Sequence, residues 1–600
     1  MTVTEEVAGR SNTAEVDATA AMTIFTTWLD TFTKALLNRD AGELSDVLAP
    51  NAWWRDMVAL DWQMSSHHGT ADITSFVFSS PQAIAKITLD DIVAPSHTTP
   101  EPGTSWIEGF FHLETGTVRG RGHARLIEDS DGSWRAWTVL TEGAELNNRP
   151  LAVRHRRPRP SGHATETPWH HRRADSTSFE RTDPEVLIIG GAQNGLGLAA
   201  TLGLMGVDTL VVEKSERVGD VWRDRYESLV LHAPVYSDHL PHFPFPDSWP
   251  VYTPARKFAN WLETYAEAME LNVWNGTEVA SADYDRDASA WTVVTRSDAG
   301  ERTLRPRHFV VATGTSSVPW VPGIPGREEF SGTVIHSSEH RTGQGWQDRN
   351  VVVVGAGTSA HDVAEDFHYG GAHVTMVQRG PTYVLSRDRG NKILFESAYS
   401  EDSLPLDYAD LQSNSIPWPL LLQMAESQTA AIADEDRDML DGLEAAGFST
   451  CMGDRRTGER SGLMSFGCRP GGPGGYYVDV GASQLIIDGK IAVRSGVGLD
   501  RFTRNGVVLS DGTELAADLV VLATGFLDMR ESSRKFLGDA VVDSTGAFYG
   551  IDETRNERGL IFQPSGFPHL WYAGGGVIEV RRYGKFLALQ IAAELDGLVE

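Results

Sequence analysis

Cysteine is almost absent from this chain. There are two in 600 residues, Cys451 and Cys468. They stand too far apart for a C-x-x-C redox pair and support no disulfide scaffold, which suits a reducing, cytoplasmic setting. Long apolar runs are missing too. No stretch reaches the roughly 18 apolar residues of a membrane-spanning helix. Met1 to Ala21 is polar and acidic, without the charged-then-apolar layout of a secretory leader. Positive charge is the third shortage: 52 Lys and Arg against 82 Asp and Glu leave a formal net charge of −30. That balance favours solubility and argues against a nucleic-acid surface. Neither a membrane, nor nucleic acid, nor a metal is expected as a partner.

What the chain does have is glycine placed directly after apolar runs. Val186-Leu187-Ile188-Ile189 shows no alternation, the pattern of a parallel strand covered on both faces. It runs into Gly190-Gly191-Ala192-Gln193-Asn194-Gly195. Gly190 permits a sharp turn, and Gly195 lets a following helix lie close to the strand. The N–H groups and dipole at the helix start would hold a pyrophosphate. A second strand, Thr209 to Val212, ends at Glu213, 23 positions after Gly190. That is near the roughly 20 at which an acidic side chain meets a ribose hydroxyl. Ala192 departs from the G-x-G-x-x-G pattern, and its methyl crowds the closest approach to phosphate.

The device returns at Val351-Val352-Val353-Val354-Gly355-Ala356-Gly357-Thr358-Ser359-Ala360. Here the middle glycine is present. The next strand, Val374 to Val377, ends in Gln378-Arg379 rather than in an acid. An arginine there pairs with a ribose 2′-phosphate, which favours NADPH while leaving NADH open. Ala312-Thr313-Gly314 and Ala523-Thr524-Gly525-Phe526 each end a strand in Thr-Gly, where backbone can turn close to a nucleotide. Leu570-Trp571-Tyr572 leads to Gly574-Gly575-Gly576 and a terminal helix.

Six hundred residues suggest about three domains at a prior of roughly 150 each. The expected fold is α/β: two Rossmann-like dinucleotide-binding domains, for FAD and NADPH, preceded by an α+β cone-like domain. The boundaries read as a disordered tail at 1–20, the α+β domain at 21–150 and a basic linker at 151–182. The FAD domain follows at 183–330 and 505–600, and the NAD(P)H domain with a substrate-pocket insertion at 331–504. The first unit takes FAD because the C-terminal segment returns to complete it. That half holds no cysteine, so its electrons go elsewhere than to a disulfide, with O₂ the natural acceptor. Within 381–480, Trp418, Met424, Tyr476 and Tyr477 are candidate pocket linings.

Phe330-Ser331-Gly332-Thr333-Val334-Ile335-His336 fits F-x-G-x-x-x-H, the fingerprint shared by flavin-containing and Baeyer–Villiger monooxygenases. His340 stands where those families usually carry an aromatic residue. With the glycine turns, Gly219, Trp222 and the two Ala-Thr-Gly strands, residues 183–600 resemble class B flavin-dependent monooxygenases. Residues 21–150, helical first and antiparallel afterwards, resemble the SnoaL-like, ketosteroid-isomerase-like domains. There Asp56, His67 and His68 either line a mouth or sit on a docking surface. The whole is most similar to type II flavin-containing monooxygenases. Leu231-His232-Ala233-Pro234 also resembles plant indole-pyruvate monooxygenases.

The resemblance implies oxygenation of small organic substrates by a flavin C4a-(hydro)peroxide: Baeyer–Villiger oxidation of ketones, or N- or S-oxygenation. Alternatives are indole-3-pyruvate-type oxidative decarboxylation, or an NAD(P)H oxidase releasing hydrogen peroxide. It also implies residue roles. Gly190, Gly191, Ala192, Gly195 and Glu213 would hold FAD, with Trp222, Thr313 and Gly314 beside it. Gly355, Gly357, Ser359, Ala360 and Arg379 would hold NADPH, with Thr524 and Gly525 nearby. His232, His336 and Arg581 are the catalytic candidates: His232 near the flavin, His336 as an interdomain hinge, Arg581 as a cation or a salt-bridge partner. O₂ and a small molecule are the expected partners, and the added domain offers a surface for a homodimer.

Overall fold

A computed structural model describes residues 17–101, 104–159, 167–396, 398–454, 458–469 and 474–599. Most of the tail expected to be disordered, residues 1–16, lies outside that set. Its last residues are helical, because the Asp17 carboxylate accepts the Ala20 N–H at 2.8 Å and caps helix α1 (Ala18–Asn38).

Helix α1 carries Phe25, Trp28, Leu29, Phe32 and Leu36 on one stripe and buries all of them. They cover a seven-stranded sheet. Its strands are β1 (Leu48–Met57), β2 (Ser65–His68), β3 (Ile84–Leu89), β4 (Ser96–Glu101), β5 (Thr104–Thr115), β6 (Val118–Glu128) and β7 (Trp134–Leu146). The order is β2-β1-β7-β6-β5-β3, with β4 also on β5. Only the β1–β7 pair is parallel among these strands. The face toward α1 is apolar, with Trp54, Ile107, Phe111, Leu126 and Val139. The opposite face carries Arg55, Glu108, His123, Arg125 and Glu142, all buried. Later parts of the chain cover them.

Asp56, His67 and His68 do not converge on a mouth. The Asp56 carboxylate accepts from the Thr141 hydroxyl at 2.6 Å and from the amides of Ala59, Leu60 and Asp61, closing the turn after β1. Burial pushes this carboxyl up to about 7 despite those donors. His67 stacks on Phe76, and His68 on Trp53. In the following linker Arg156 pairs with Glu145 at 2.7 Å, and Arg173 bonds Asn272 Oδ1 at 2.9 Å. Arg154, Arg157 and Arg159 are exposed.

The first nucleotide-type unit then runs through β8 (Val186–Ile189), α2 (Gln193–Leu204), β9 (Thr209–Val212), β10 (Val273–Trp274) and β11 (His308–Val311). An antiparallel three-stranded excursion occupies 278–304. The chain crosses to a second unit with β12 (Thr333–His336), β13 (Asn350–Val354), α3 (Thr358–Tyr369) and β14 (His373–Gln378). A largely helical insertion follows, including α4 (Leu406–Asn414). The unit ends with β15 (Ile491–Ser495) and β16 (Leu519–Leu522). The chain returns with β17 (Leu570–Tyr572) and α5 (Val577–Leu595).

Both five-stranded sheets are parallel, ordered β10-β9-β8-β11-β17 and β12-β16-β13-β14-β15. Burial on both faces explains the unbroken apolar runs of β8 and β13. In each sheet the glycine turn follows the strand at which the order reverses, the position where α/β sheets open a crevice for ligands. Val318–Pro319 pairs with Phe526–Leu527 where the chain passes between the units. Among the described residues no helix is long and apolar enough to cross a membrane.

Candidate functional site: two glycine turns at one junction

Gly190 sits at φ +113°. A Cβ there would fall 2.3 Å from the Ala312 carbonyl oxygen, and one on Gly195 would fall 1.9 Å from the Gly190 carbonyl oxygen. Both positions therefore require glycine. Ala192, by contrast, has φ −99° and ψ −170°, ordinary extended backbone, so its methyl strains nothing in the chain itself. Glu213 is buried and folds back onto the turn, accepting the Gly191 N–H at 2.7 Å and the Ser215 N–H at 2.8 Å.

Three further segments close on this turn. Trp222 Nε1–H donates to Gln193 Oε1 at 3.1 Å, and its ring stands edge-on to Phe258. The side-chain amides of Gln193 and Asn194 donate to the Gly575 carbonyl at 3.3 and 2.9 Å. Thr313 and Gly314, at φ +86°, close the far side after β11. Two buried polar atoms here, Asn194 Oδ1 and Thr313 Oγ1, have no hydrogen-bond partner among the described residues. Buried polar atoms ordinarily have one. The open amides of a helix start, the glycine cradle, an acid at the ribose position and these two unsatisfied atoms fit a dinucleotide.

The second turn repeats the geometry. Gly355 has φ +133°, and a Cβ there would lie 2.3 Å from the Ala523 carbonyl oxygen. At Gly357 the nearest atom to an added Cβ is the Tyr476 carbonyl oxygen at 3.6 Å, an ordinary contact, so the chain itself does not demand glycine there. Thr358 Oγ1 donates to the Tyr476 carbonyl at 3.1 Å; Ser359 is half-buried and Ala360 fully buried. Arg379 follows β14 exposed, with no hydrogen bond or ion pair to a described residue.

His336 ends β12 and bonds across the second unit's own sheet. Its Nδ1 accepts the Ser338 backbone N–H at 3.1 Å, which an amide can only donate. The ring proton is therefore on Nε2, which donates to the Gly525 carbonyl at 3.0 Å. Thr524 Oγ1 donates to the Trp320 carbonyl at 2.6 Å, so the fingerprint, the link and the Ala523–Gly525 turn form one hydrogen-bonded knot. Burial lowers the pKa of His336. His340 bonds Asp366 of α3 at 2.7 Å.

His232 lies at the boundary with the second unit. Its carbonyl accepts from Asn391 at 2.7 Å, and Asp362 and Asp479 are its acidic neighbours. Its ring makes no hydrogen bond to a described residue. Burial outweighs those neighbours and lowers its pKa.

Arg581 is ion-paired within the protein. Its Nε and Nη2 form a bidentate pair with Asp410 of α4, at 2.8 Å each, and Nη1 donates to the carbonyls of Ser237 and His239. The guanidinium is a structural clamp between α5 and α4, the salt-bridge outcome rather than a free cation. Of the pocket candidates, one is core and one packs against an apolar cluster. Tyr477 is fully buried and stacked on His361 at 3.8 Å, and Met424 packs against the N-terminal cluster. Tyr476 is half-buried beside the second turn, and Trp418 lies 4.6 Å from the Arg558 guanidinium.

Sequence reasoning missed Gln193 and Asn194 as stitches to Gly575; two amides inside a glycine turn were the available signal. It also missed Tyr226, whose hydroxyl donates to Asp362 at the start of α3. Glu365 on the same helix is pushed up to about 7 by burial and by Asp362, Asp479 and Asp366. Among the described residues one trio, His308, His569 and Glu594, brings possible metal ligands within 4.8 Å. It lies at the start of β11, away from both turns. There Trp571 N–H already donates to His308 Nδ1, and His569 bonds Glu594.

Two glycine turns, each after a buried parallel strand, have the geometry of two dinucleotide-binding sites. Comparison with known proteins agrees. The flavin-binding monooxygenase-like family matches residues 184–434. An indole-3-pyruvate monooxygenase of Oryza sativa subsp. japonica is 33% identical over 360 residues, covering 59% of this chain and 80% of that protein. A probable indole-3-pyruvate monooxygenase of Arabidopsis thaliana is 32% identical over 343 residues, covering 57% and 74%. A cyclohexanone monooxygenase from Rhodococcus sp. Phi1, solved with NADP⁺, aligns with a TM-score of 0.46 at 18% identity, covering 69% and 84%. The chain belongs to the flavin-binding monooxygenase-like family and is a flavin-containing monooxygenase.

Proposed function

We propose that this enzyme uses FAD, NADPH and O₂ to oxygenate the carbonyl carbon of a small ketone or 2-oxo acid. The observation that carries the reading is the knot at His336. It ties the turn at Gly525 to the fingerprint segment at the point where the chain passes from one dinucleotide crevice to the other.

In this reading Gly190, Gly191, Ala192 and Gly195 hold the FAD diphosphate, Glu213 the ribose, and Trp222, Thr313 and Gly314 flank the bound cofactor. Gly355, Gly357, Ser359 and Ala360 hold the NADPH diphosphate, and Arg379 its 2′-phosphate. When bound, the flavin accepts hydride from NADPH and activates O₂; that chemistry is the cofactor's own. The protein orients both nucleotides and excludes water from between them. His336, neutral at pH 7 with its proton on Nε2, holds the link rigid through Gly525. His232, also neutral, presents an unengaged ring nitrogen at the boundary between the units, where it hydrogen-bonds the reacting oxygen. A carbonyl substrate is favoured by the relatives named for indole-3-pyruvate. Residues 21–150 act as a SnoaL-like domain without a ligand of their own, since their polar candidates are used in local turns and stacks.

The test is oxygen transfer under ¹⁸O₂. Purified FAD-loaded enzyme with NADPH is offered indole-3-pyruvate, a cyclic ketone and a sulfide. Label in the product from a carbonyl compound is the expected result. Label only in the sulfide product would move the assignment to heteroatom oxygenation. NADPH consumed with an equal amount of hydrogen peroxide, whatever is offered, would make the protein an oxidase.

A further inference from the structure

The N-terminal sheet reaches the first glycine turn through one buried and one half-buried ion pair that follow each other in the chain. Arg55 of β1 and Glu557 form a bidentate pair, 2.6 Å at both contacts, with side chains 1% and 2% exposed. Arg55 Nη1 also donates to the carbonyls of Asn414 at 2.9 Å and Ile416 at 3.3 Å. Ser66 of β2 donates to Glu557 Oε1 at 2.8 Å, so two strands of the N-terminal sheet grip this carboxylate. Arg558 is its chain neighbour, and in extended backbone it points the other way. Its Nη1 pairs with Glu579 in the first turn of α5, with the rings of Trp418, Tyr583 and Tyr549 around the guanidinium.

Glu579 completes the path. Its Oε2 accepts the Gly576 N–H at 2.9 Å, and it lies so close over Gly575 that a Cβ there would fall 1.4 Å away. The Gly575 carbonyl is the acceptor for Gln193 and Asn194, and Gln193 in turn accepts from Trp222. From Arg55 to Trp222 each link is a hydrogen bond, an ion pair or one peptide unit. Fold stability does not call for this arrangement, because buried ion pairs are often replaceable by apolar side chains without loss. What a bidentate pair supplies is fixed geometry.

We infer that Arg55, Glu557 and Arg558 are positioning residues through which the N-terminal sheet sets the Gly574–Gly576 turn and its contacts to Gln193 and Asn194. The inference rests on the reading of the first turn as the FAD site. It gives the added domain a role in the reaction without a ligand of its own.

The test uses full-length, FAD-loaded enzyme. The double variant R55M/E557M removes the first pair without leaving a lone buried charge. Its melting temperature should stay close to wild type. FAD should dissociate about threefold faster or more, at the scale of coupling carried between distant sites. The visible flavin spectrum should shift, and more hydrogen peroxide should escape per NADPH. R558K keeps the charge but loses the planar fork and should fall between. In a double-mutant cycle, E557Q and E579Q should combine to less than the product of their separate effects on FAD release, as residues of one network do. If R55M/E557M fails to fold, S66A weakens the same grip on Glu557 without stranding a charge, and should shift the same readouts less. A folded R55M/E557M, or failing that S66A, with wild-type FAD release, spectrum and peroxide yield overturns the inference, as do multiplicative effects in the cycle. Wild-type protein unable to hold FAD would overturn the function reading and this inference together; unchanged variants of an FAD-bound enzyme overturn this inference alone.

Discussion

Replacing Arg379 with alanine should convert an enzyme that prefers NADPH into one that hardly distinguishes it from NADH. Arg379 follows β14 directly, at the place where a nucleotide's adenosine ribose meets the strand end in this type of fold. It is exposed and engages no acid among the described residues, so none of them competes for its guanidinium. A charge-assisted bond of an arginine to phosphate contributes about 1.5–3 kcal/mol. Exposure places the effect at the lower end, since two charges 4 Å apart in water attract by only about 1 kcal/mol. The kcat/KM for NADPH should therefore drop about 10- to 30-fold at ~0.05 M salt and less at ~0.5 M, where screening already weakens the wild-type contact. The value for NADH, which has no 2′-phosphate, should stay within about twofold of wild type. Steady-state NADPH and NADH oxidation at both salt concentrations gives all four ratios. An unchanged NADPH/NADH ratio, or an equal fall with both nucleotides, refutes the assignment.

Gly195→Ala should yield protein without yellow colour, because a methyl 1.9 Å from the Gly190 carbonyl forces α2 away from β8 at about 3 kcal/mol or more; absorbance near 450 nm per polypeptide measures it, and normal flavin content would contradict the close approach. His336→Phe removes the bond to Gly525 and should lower kcat/KM for NADPH about fivefold, one hydrogen bond's worth, with flavin content unchanged; the same loss in flavin content would mean a general core role. Asp56 is fully buried, with its folded pKa raised to about 7 from 3.8. The native state therefore binds that proton more tightly than the unfolded chain, and wild-type stability falls as pH rises from about 4 to about 7, with the full penalty above 7. The melting temperature of Asp56→Asn minus that of wild type should accordingly grow between pH 5 and pH 8; a flat difference would show that the carboxylate is comfortably ionised.

The two nucleotide units were legible because their constraints are local. Gly190, Gly195 and Gly355 are required by a positive φ or by a carbonyl under 2.5 Å from a would-be Cβ. The strands beside them are apolar on both faces, so the runs Val186–Ile189 and Val351–Val354 announce themselves. Arg581 was not legible in the same way. What decides its role is Asp410, 171 positions earlier, and no periodicity links the two. The N-terminal sheet shows the same limit. In the structure β5 and β6 put Ile107, Phe111 and Leu126 on one face and Glu108, His123 and Arg125 on the other. Polar faces ordinarily meet water. Here that face meets α4: Gln412 donates to Glu108 at 3.0 Å, and Arg125 donates to Ser415 just beyond the helix. A period of two tells which residues share a face, and says nothing of what will cover it.

The return of β17 to the first sheet bears on how the chain comes off the ribosome. Strand β8 emerges early, but its sheet stays one strand short until residue 572, about 380 residues later. At roughly 5–20 residues per second, that is on the order of 20–80 s. From its own emergence until then, about 260 residues, β11 presents an unpaired edge, the sort of surface that recruits other chains. Arg55, on the already formed N-terminal sheet, waits longer still for Glu557, which is 502 positions away. Slowing initiation or lowering temperature during production should therefore raise the soluble fraction more than any change to the residues that touch the nucleotides.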